Sequence, residues 1–586
     1  MAARRLIFGG TILSAIAAIA LALSFQAQQP LGSIESQPVT YCYKRVRTQT
    51  KDLPEAQCFT VADGVFTEIF KGKDELDGTP VVTSDRYVIP GLWDGHGHLM
   101  GYGEFLYSVD LFGAESINDV RTRIKAFLKE NPGAGSKESW LRGVGWDQAA
   151  FGRMPTADDF EQDEELRGHF IMLDRADVHC SWISQAVLDL IPTPIPDVPG
   201  GEVVRDPGLG VFCDNALDMV MPLWPKPSVE MQAVAVKSAM RKLNELGLVG
   251  VHDASTVPSQ VELYNTLADS DDWTVRIYSM LECDTRNTFC PQNANKIARA
   301  DGRLTVHSVK LFADGALGSW GSAMLEPYSD HPWSSGSLLI NGSSLATVAK
   351  LWAAHGFQVN IHAIGDLANR NSIDALETAL KQECPEVDGD DLYKCQARFR
   401  HRIEHAQIIH PDDQARMHKL RIIPSIQPTH ATSDMKYAED RLGPKRTAEE
   451  AYRMKSLLDI DPILGSDFPV EPPNPFEGIY AAITRLSPHT GTAPDGSKSG
   501  WHLEEALSLD EALWGFTGSP AYGAFMEGKA GQITKGAFAD WVVLDAPLES
   551  LSTEDLRNVK VRETWVAGNR VYHREEGDQE QEQAEL

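Results

Sequence analysis

Two histidines separated by one residue, His96 and His98, follow an apolar run at residues 87–93 in the segment Asp94-Gly-His96-Gly-His98. In a β-strand, residues two apart point to the same face, so both imidazoles would project together from the end of this run. Two imidazole nitrogens at that spacing can bind one metal ion. The sequence therefore predicts that His96 and His98 are metal ligands.

Four further residues with metal-binding or acid–base side chains each close a separate apolar run downstream. In chain order they are Lys310, His362, His405 and Asp467. A lysine within an apolar strand is costly to bury unless it is paired or chemically modified. Each of these residues, taken alone, would more often be a core or surface residue whose hydrogen bonds are made within the protein or to water. Their joint pattern, one such residue at the end of each run, predicts a shared metal site.

The runs that carry these residues alternate with helical segments between residues 91 and 520. Helical patterns at 228–246, 344–355 and 369–382 separate apolar runs such as 249–253, 308–312 and 358–362. This alternation predicts an α/β fold with a parallel sheet, for which an eight-stranded barrel is the commonest closed form. The pattern alone does not distinguish a barrel from an open doubly wound sheet.

Both ends of the chain have short β-like runs. Those at 57–69 and 81–89 are interrupted by Asp-Gly turn signals, and a second β-like region covers 539–545 and 559–571. We expect residues 33–90 and 521–573 to form one small composite β domain beside the central region, 91–520. Residues 574–586 are charged and poor in apolar side chains, so we predict an acidic, disordered tail.

The N-terminal segment, residues 1–32, has the features of a signal that exports the protein. Arg4 and Arg5 precede residues 6–25, a run of twenty residues without a charge. As a hydrophobic helix this run would span the ~30 Å hydrocarbon core of a bilayer. It is predicted to be a signal peptide, cleaved near Ala22-Leu-Ser24, or a single membrane anchor with the body in the lumen or outside the cell.

The cysteines agree with an export route. Eight are present, an even number, and six of them form pairs close in sequence within polar surroundings: Cys42 and Cys58, Cys283 and Cys290, Cys384 and Cys395. Such pairs suit local disulfides in an oxidising compartment, although spacing does not fix connectivity. Asn341-Gly-Ser343 is an acceptor sequence for an N-linked glycan.

The composition excludes two broad classes of protein. The 83 acidic and 54 basic residues give a net charge of −29, which repels phosphate backbones and argues against nucleic-acid binding. A hydrophobic share of 42% with 23% charged residues describes a folded interior, not a disordered chain. The length of 586 residues accommodates a large α/β barrel with additions.

Together these features resemble the amidohydrolase superfamily of metal-dependent hydrolases, most closely the branch of YtcJ-like hydrolases and N-substituted formamide deformylases. The resemblance runs from about residue 63 to residue 571. It rests on these segments: Pro90-Gly-Leu-Trp-Asp-Gly-His-Gly-His98, Lys310-Leu-Phe-Ala-Asp-Gly315, His362-Ala-Ile-Gly-Asp366, Glu404-His405, Gln427-Pro-Thr-His430, Gly465-Ser-Asp-Phe-Pro469 and Gly536-Ala-Phe-Ala-Asp540. It implies a (β/α)8 TIM-like barrel with a β-sandwich formed from both chain ends.

The resemblance also implies an activity and a role for each matched residue. The reaction would be hydrolysis of a non-peptide C–N bond in an amide, formamide or cyclic amide. Lys310, carboxylated by CO2, would bridge two metals, and Asp467 would contact metal and act as the general acid/base. The ligands implied for the more buried and the second ion are His96 with His98, and His362 with His405. The predicted cofactor is one or two divalent ions, with zinc as the default for nitrogen-rich ligation.

An insertion at about residues 100–240 and one barrel loop supply candidates for substrate binding. The insertion segment Arg175-Ala-Asp-Val-His179 is similar to a family segment near the substrate, which makes His179 a candidate. Trp146 is a second candidate, and His430, in the loop after the seventh barrel strand, is a third. Trp146 packed in a core and His179 on the surface are the structural alternatives.

Two other functions remain open at this stage. A binding protein that kept the barrel but lost the chemistry is one, and the intact set of metal-ligand candidates argues against it. A lactone or phosphoester hydrolase on the same architecture is the other. The sequence has no evident glycine-rich phosphate loop or basic cluster, which favours a neutral amide. A small-molecule substrate is expected, and the sequence leaves the oligomeric state open.

Overall fold

The computed structural model describes residues 37–76, 78–387 and 389–575. The N-terminal segment that predicts a signal or anchor helix lies outside these residues, as do residues 576–586 of the predicted acidic tail. Within the described chain, no helix combines the length and the apolar character that a membrane crossing requires. Three β-sheets organise the described residues.

The strands of the described chain are, in order, β1 (Val39–Arg47), β2 (Glu55–Ala62), β3 (Val65–Phe70), β4 (Val81–Thr83), β5 (Tyr87–Pro90), β6 (Leu92–Gly97), β7 (Val109–Asp110), β8 (Leu141–Trp146), β9 (Ile171–Arg175), β10 (Cys180–Ile183), β11 (Gly201–Val204), β12 (Val211–Asp214), β13 (Leu248–Thr256), β14 (Arg276–Leu281), β15 (Ile297–Ala298), β16 (Leu304–Phe312), β17 (Gln358–Ala363), β18 (Arg402–His405), β19 (Ile423–Ile426), β20 (Ile463–Leu464), β21 (Trp541–Leu544), β22 (Val561–Val566) and β23 (Asn569–His573).

The α-helices are α1 (Leu99–Phe105), α2 (Ile117–Glu130), α3 (Gln148–Phe151), α4 (Asp158–Glu161), α5 (Gln185–Leu188), α6 (Val229–Glu245), α7 (Pro258–Leu267), α8 (Gly342–Ala354), α9 (Asp366–Glu383), α10 (Leu392–Phe399), α11 (Pro411–Leu420), α12 (Pro428–Asp434), α13 (Ala438–Glu450), α14 (Pro475–Thr484), α15 (Leu509–Gly515), α16 (Gly518–Gly523) and α17 (Thr553–Leu556).

Eight parallel strands form the central sheet, in the order β6-β13-β14-β16-β17-β18-β19-β20. A parallel bridge between Gly97 and Phe468 joins its two edges, and the His98 N–H donates to the Phe468 carbonyl at 2.8 Å. The sheet is therefore a nearly closed barrel, as predicted. Its strands are buried on both faces, which explains why they read as unbroken apolar runs in the sequence.

Two glycines allow this close approach of the first and last barrel segments. A Cβ atom on Gly97 would lie 2.2 Å from the Phe468 ring, and one on Gly465 would lie 2.5 Å from the backbone nitrogen of His96. Any larger residue at either position would push the two segments apart. The glycines of these two motifs thus serve barrel closure directly beside the candidate site.

Both chain ends contribute strands to a second sheet, in the order β23-β22-β21-β5-β1-β2-β3, with β4 beside β1. β21 pairs antiparallel with β5, which places Trp541 opposite Pro90. Phe59, Phe66 and Trp541 pack in its core. Because β5 leads directly into β6, this sheet fixes the start of the first barrel strand.

A third sheet, β11-β12-β10-β9-β8-β7, lies between β6 and β13 in the chain, where the insertion is predicted. It has its own apolar core, which includes Trp146, Trp182 and Phe160. Cys180 and Cys213 are register partners on β10 and β12 and form a disulfide. The insertion is therefore a packed unit attached after the first barrel strand.

The three local disulfides suggested by cysteine spacing are confirmed: Cys42–Cys58, Cys283–Cys290 and Cys384–Cys395. Together with the insertion's disulfide they leave no free cysteine in the described chain. Four disulfides indicate folding in an oxidising environment. The residue of the predicted glycan acceptor, Asn341, is exposed and caps α8, where its side-chain oxygen accepts the Ser344 N–H at 2.9 Å.

Candidate metal centre

The six residues predicted as metal ligands converge at the carboxyl ends of the barrel strands, the face on which such barrels carry their chemistry. The first, fourth, fifth and sixth strands and the segment after the eighth provide them in this order: His96 and His98, Lys310, His362, His405, Asp467. Asp467 does not end a strand as expected, because β20 stops at Leu464. Its backbone N–H instead donates to the His96 carbonyl at 2.7 Å.

Asp467 lies at the centre of the cluster. One ligand atom each from His96, His405 and Asp467 lies within 4.8 Å of the others, and all three residues are buried. Asp467 Oδ1 is 3.0 Å from His98 Nε2 and 3.5 Å from His96 Nε2. These separations allow the imidazoles and the carboxylate to bind a common ion between them.

Lys310 lies directly beside these groups, with its Nζ 3.2 Å from His96 Nε2. The side chain is buried, and burial lowers the pKa of its ammonium group, with nearby carboxylates opposing the shift. A lowered pKa increases the fraction of neutral amine. The neutral form is the one that can react with CO2.

His362 and His405 form the opposite side of the cluster, with ring centroids 4.4 Å apart. Nδ1 of His405 is 2.9 Å from Gln427 Oε1, which assigns the ring proton to Nδ1 and leaves Nε2 with a free lone pair. Nε2 of His362 is buried without a hydrogen-bond partner among the described residues. A buried imidazole nitrogen in that state is suited to bind a cation.

The orientation of His96 depends on a buried carboxylate. His96 Nδ1 is 2.5 Å from Glu404 Oε2, and the Arg402 guanidinium lies 2.9 and 3.0 Å from the two Glu404 oxygens. All three side chains are buried. Metal-binding histidines commonly donate their second nitrogen to such a carboxylate, which fixes the ring and its tautomer.

Asp94 links the first and last barrel segments below the cluster. It accepts the Ser466 hydroxyl at 2.6 Å and the backbone N–H groups of Ser466 and His96 at 3.0 to 3.1 Å. Burial raises the pKa of Asp94 to about 7, although these hydrogen bonds oppose the shift. The arrangement holds the backbones of His96 and Asp467 at a fixed separation.

Two residues of the cluster have left-handed backbone conformations. His405 has φ +71° and Asp467 has φ +62°. Residues other than glycine rarely adopt these angles, and strain of this kind is frequent at functional sites, where it directs a side chain. In both cases the conformation occurs where the chain leaves the barrel and the side chain enters the cluster.

The pKa shifts of the cluster favour ligation. Burial, the largest cause, lowers the pKa values of His96, His362 and His405 well below the usual range, so their imidazoles are neutral at pH 7. For Asp467, burial opposes ionisation, but the imidazoles, His96 first, outweigh it and lower the pKa. Neutral imidazoles with an ionised carboxylate are the protonation states that a divalent metal requires.

The donor set fits a divalent metal ion. It consists of imidazole nitrogens, a carboxylate and a lysine that can be carboxylated, brought together in a buried space at a barrel mouth. This is the ligation typical of zinc in enzymes. The structure thus brings together all six residues that the sequence predicts as ligands.

The substrate-binding candidates have three different positions. His430 faces the cluster, with Nε2 3.7 Å from Asp467 Oδ2. His179 lies over the His362 ring at 5.4 Å, held by Asp214, whose Oδ1 is 2.8 Å from Nδ1. Trp146 is fully buried in the insertion core and donates to the Leu173 carbonyl at 2.8 Å. Core packing accounts for Trp146, and its contacts do not support a place at the site.

Three residues to which sequence reasoning assigned no role also belong to the site. They are Glu404, Arg402 and Asp314. Asp314 accepts N–H groups from Ile364 and Gly365 and lies 3.8 Å from His362 Nε2. Glu404 and Asp314 occur within the motifs that carry the family resemblance, but neither closes an apolar run. The sequence signal that could have found Arg402 and Glu404 is that both are charged residues inside the apolar run that forms the buried strand β18.

Comparison with protein families identifies the family of the chain. The family model described as "Amidohydrolase family" matches residues 84–572. The chain belongs to the amidohydrolase family. The matched span includes every residue of the cluster, and it confirms the resemblance found in the sequence motifs.

Relatives of known name cover nearly the whole chain. YtcJ of Bacillus subtilis is 26% identical over 549 residues, which cover 90% of this chain and 98% of that protein. The N-substituted formamide deformylase of Arthrobacter pascens is 24% identical over 533 residues, 87% of this chain and 93% of that protein. Both relatives are similar to this chain over most of its length.

A solved structure supports the fold. The crystal structure of an uncharacterized metal-dependent hydrolase from Pyrococcus horikoshii superimposes with a TM-score of 0.69 at 24% sequence identity. The alignment covers 88% of this chain and 99% of that one. Most of the fold is therefore an architecture that a solved protein shares.

Proposed function

We propose that this amidohydrolase is metal-dependent and hydrolyses a non-peptide C–N bond in an amide, formamide or cyclic amide. The observation that carries the proposal is the buried convergence of His96, His405 and Asp467, whose ligand atoms lie within 4.8 Å of one another. A protein that had only kept the barrel for binding would have no reason to preserve such a set with Lys310 beside it.

In this proposal the ligands divide between two ions. His96 and His98 would hold the more buried ion, and His362 and His405 would hold the second. Lys310, carboxylated by CO2, would supply ligand oxygens to both; its burial and its 3.2 Å distance from His96 Nε2 support that role. Zinc is the expected metal because the ligands are mainly nitrogen.

The chemistry of the reaction depends on both the metal and Asp467. A divalent ion supplies Lewis acidity, which lowers the pKa of a water molecule and polarises a carbonyl group. Asp467, ionised and adjacent to His98, accepts a proton at its carboxylate and transfers it to the leaving nitrogen. His430 Nε2 lies 3.7 Å from the same carboxylate, which supports the proposal that His430 contacts the substrate.

A substrate panel with purified, metal-loaded protein tests the proposal. N-formyl amines, lactams, hydantoins, lactones and phosphotriesters separate C–N hydrolysis from the other reactions this site could perform. We expect the wild-type protein to turn over at least one C–N substrate and His405→Ala to lose this activity. His573→Ala, a control at the end of β23 in the terminal sheet, should keep it. Turnover of lactones or phosphotriesters alone would contradict the proposed bond class.

We also propose that the catalytic body lies on the non-cytoplasmic side of a membrane, either anchored or secreted. The uncharged run at residues 6–25 and the four disulfides support this. Protease added to the cytoplasmic side of intact vesicles should leave the body undigested. Digestion in unbroken vesicles would place the body in the cytoplasm.

A further inference from the structure

A short disulfide-closed loop carries an arginine to the mouth of the barrel. The loop follows β14, the third barrel strand, and the Cys283–Cys290 disulfide closes it. Arg286 lies within it. Loops at this end of a barrel are where such folds bind their substrates, so the position of Arg286 is that of a substrate-contacting residue.

The loop is fixed to the barrel and not merely near it. Asn287 donates through Nδ2 to the Phe312 carbonyl at 2.9 Å and accepts the Phe312 N–H at 2.8 Å. The Trp352 indole donates to the Thr288 carbonyl at 3.1 Å. Because Phe312 ends the same strand that carries Lys310, the loop is positioned relative to the metal ligands. An arginine on such a loop loses little additional freedom when it binds a ligand.

The guanidinium of Arg286 lies close to the metal ligands. It is 4.9 Å from the centre of the Phe312 ring, and the same ring centre is 5.0 Å from Lys310 Nζ and 5.7 Å from the His362 ring. His179 lies within electrostatic range of Arg286 as well. Arg286 is therefore within about 10 Å of the Lys310 amine.

Among the described residues, Arg286 has an ion pair with Glu282 and a contact with the Phe312 ring, but no hydrogen bond. Its Nε is buried and has no hydrogen-bond partner among the described residues. Glu282 forms an ion pair with Arg286, with its Oε1 3.6 Å from that nitrogen, beyond hydrogen-bonding distance, while its Oε2 accepts the Ser255 hydroxyl. Because Glu282 lies beside Nε, the two terminal nitrogens of the Arg286 guanidinium remain available to a ligand. The Arg286 side chain is 32% exposed, so an anionic ligand can reach the terminal nitrogens and can also provide an acceptor beside the buried Nε.

Arg175, four residues before His179 in the chain, shows the contrast. Its guanidinium donates to Gln148 and to Asp177, and it lies 3.3 Å from Asp147. That side chain is saturated by protein partners and serves the insertion. Arg286 has no comparable set of partners in the described chain.

We propose that Arg286 binds a carboxylate on the substrate, so that the enzyme acts on N-acylated amino acids or similar amides that carry an acid group. The inference rests on the proposed C–N hydrolysis and adds the substrate class. A planar guanidinium recognises a carboxylate through two parallel hydrogen bonds, which also orients the molecule. Binding the acid at Arg286 would direct the acyl group of the same molecule toward the metal ligands.

A matched pair of substrates tests the substrate class. N-formylphenylalanine and N-formyl-2-phenylethylamine differ only in the carboxylate. For the acid, kcat/KM should fall about 10- to 100-fold in Arg286→Gln, mainly through KM, and less in Arg286→Lys. For the neutral formamide it should change less than about twofold. Arg205→Gln, at an exposed arginine of the insertion, is the matched control and should affect neither substrate.

A binding measurement keeps the two proposals separable. Calorimetry compares 3-phenylpropanoate with 3-phenylpropanamide on metal-loaded protein. Tighter binding of the acid to wild type, lost in Arg286→Gln at unchanged metal content, supports the carboxylate site even if no C–N substrate is cleaved. Equal binding of the acid and the amide to wild type would overturn it. A preference for the acid that survives in Arg286→Gln would also overturn it, since the acid would then bind the metal directly.

Discussion

Glu404 Oε2 lies 2.5 Å from Nδ1 of His96, and both side chains are fully buried. This contact turns Nε2 of His96 toward Lys310 and Asp467. Arg402 holds the other side of Glu404, so the carboxylate itself cannot rotate away. His96, on the first barrel strand, is thus oriented by a charged pair that belongs to the sixth barrel strand, β18.

The first prediction concerns Glu404. Glu404→Gln keeps the size and one acceptor, whereas Glu404→Ala removes the contact and leaves Arg402 buried without its partner. We expect metal affinity to fall about 10- to 100-fold in the alanine variant, and less in the glutamine variant. Competition with a chromogenic chelator measures the affinity. Wild-type affinity in a folded alanine variant would show that the contact does not serve metal binding.

The second prediction concerns Lys310. If it carries a carboxyl group and bridges two ions, metal analysis of pure protein should approach two ions per chain. Lys310→Ala should lose the second ion and its activity, with partial rescue by short carboxylic acids that replace the bridge. The matched control is Lys350→Ala on α8, which should keep both ions. A wild-type protein with one fully occupied site and an unmodified lysine would exclude the bridge.

The barrel was predictable because its strands are buried on both faces. The runs at 308–312 and 358–362 lie within β16 and β17, and the helical pattern predicted at 228–246 corresponds to α6, Val229–Glu245. Position in sequence also pointed to the candidate ligands, since His362 and His405 lie at or near strand ends, where the fold brings such residues together. Local pattern and fold agree at these positions.

Other features depend on contacts that no local pattern records. The disulfide between Cys180 and Cys213 joins residues 33 apart, brought together only by the pairing of β10 with β12. The strand expected to end at Asp467 stops at Leu464 because closure of the barrel bends the chain there. Trp146 could not be assigned from sequence, because a tryptophan suits a core and a pocket equally well.

The third prediction concerns stability. Arg276, in the third barrel strand, binds Asp540 of the terminal sheet through two buried hydrogen bonds of 2.6 and 2.9 Å. Asp540→Ala leaves a buried, unpaired guanidinium and should lower the free energy of unfolding by about 3–5 kcal/mol. The exposed pair Lys535 and Glu68 is the control, and Glu68→Ala should cost less than about 1 kcal/mol. Denaturant titration measures both. An equal loss of unfolding free energy in Asp540→Ala and Glu68→Ala would show that the buried pair does not stabilise the contact between the barrel and the terminal sheet.

The fourth prediction concerns Asp467, which can be a ligand, a proton carrier or both. Asp467→Asn keeps the size and one oxygen but cannot accept a proton at neutral pH. Because the histidines supply most of the ligation, metal content should stay near wild type. General acid–base catalysis commonly contributes about 10²- to 10⁴-fold, so turnover should fall at least about a hundredfold.

Turnover and metal content must be measured on the same preparation, because the two roles of Asp467 predict different relations between them. As a proton carrier, the variant is inactive while loaded with metal. As a ligand alone, it loses activity only in proportion to lost metal, and excess metal restores it. Ser466→Ala tests the neighbouring position: it removes the hydroxyl that Asp94 accepts, without touching the Asp467 carboxylate. A loss in Ser466→Ala as large as in Asp467→Asn would mean that loop geometry, not proton transfer, limits the reaction.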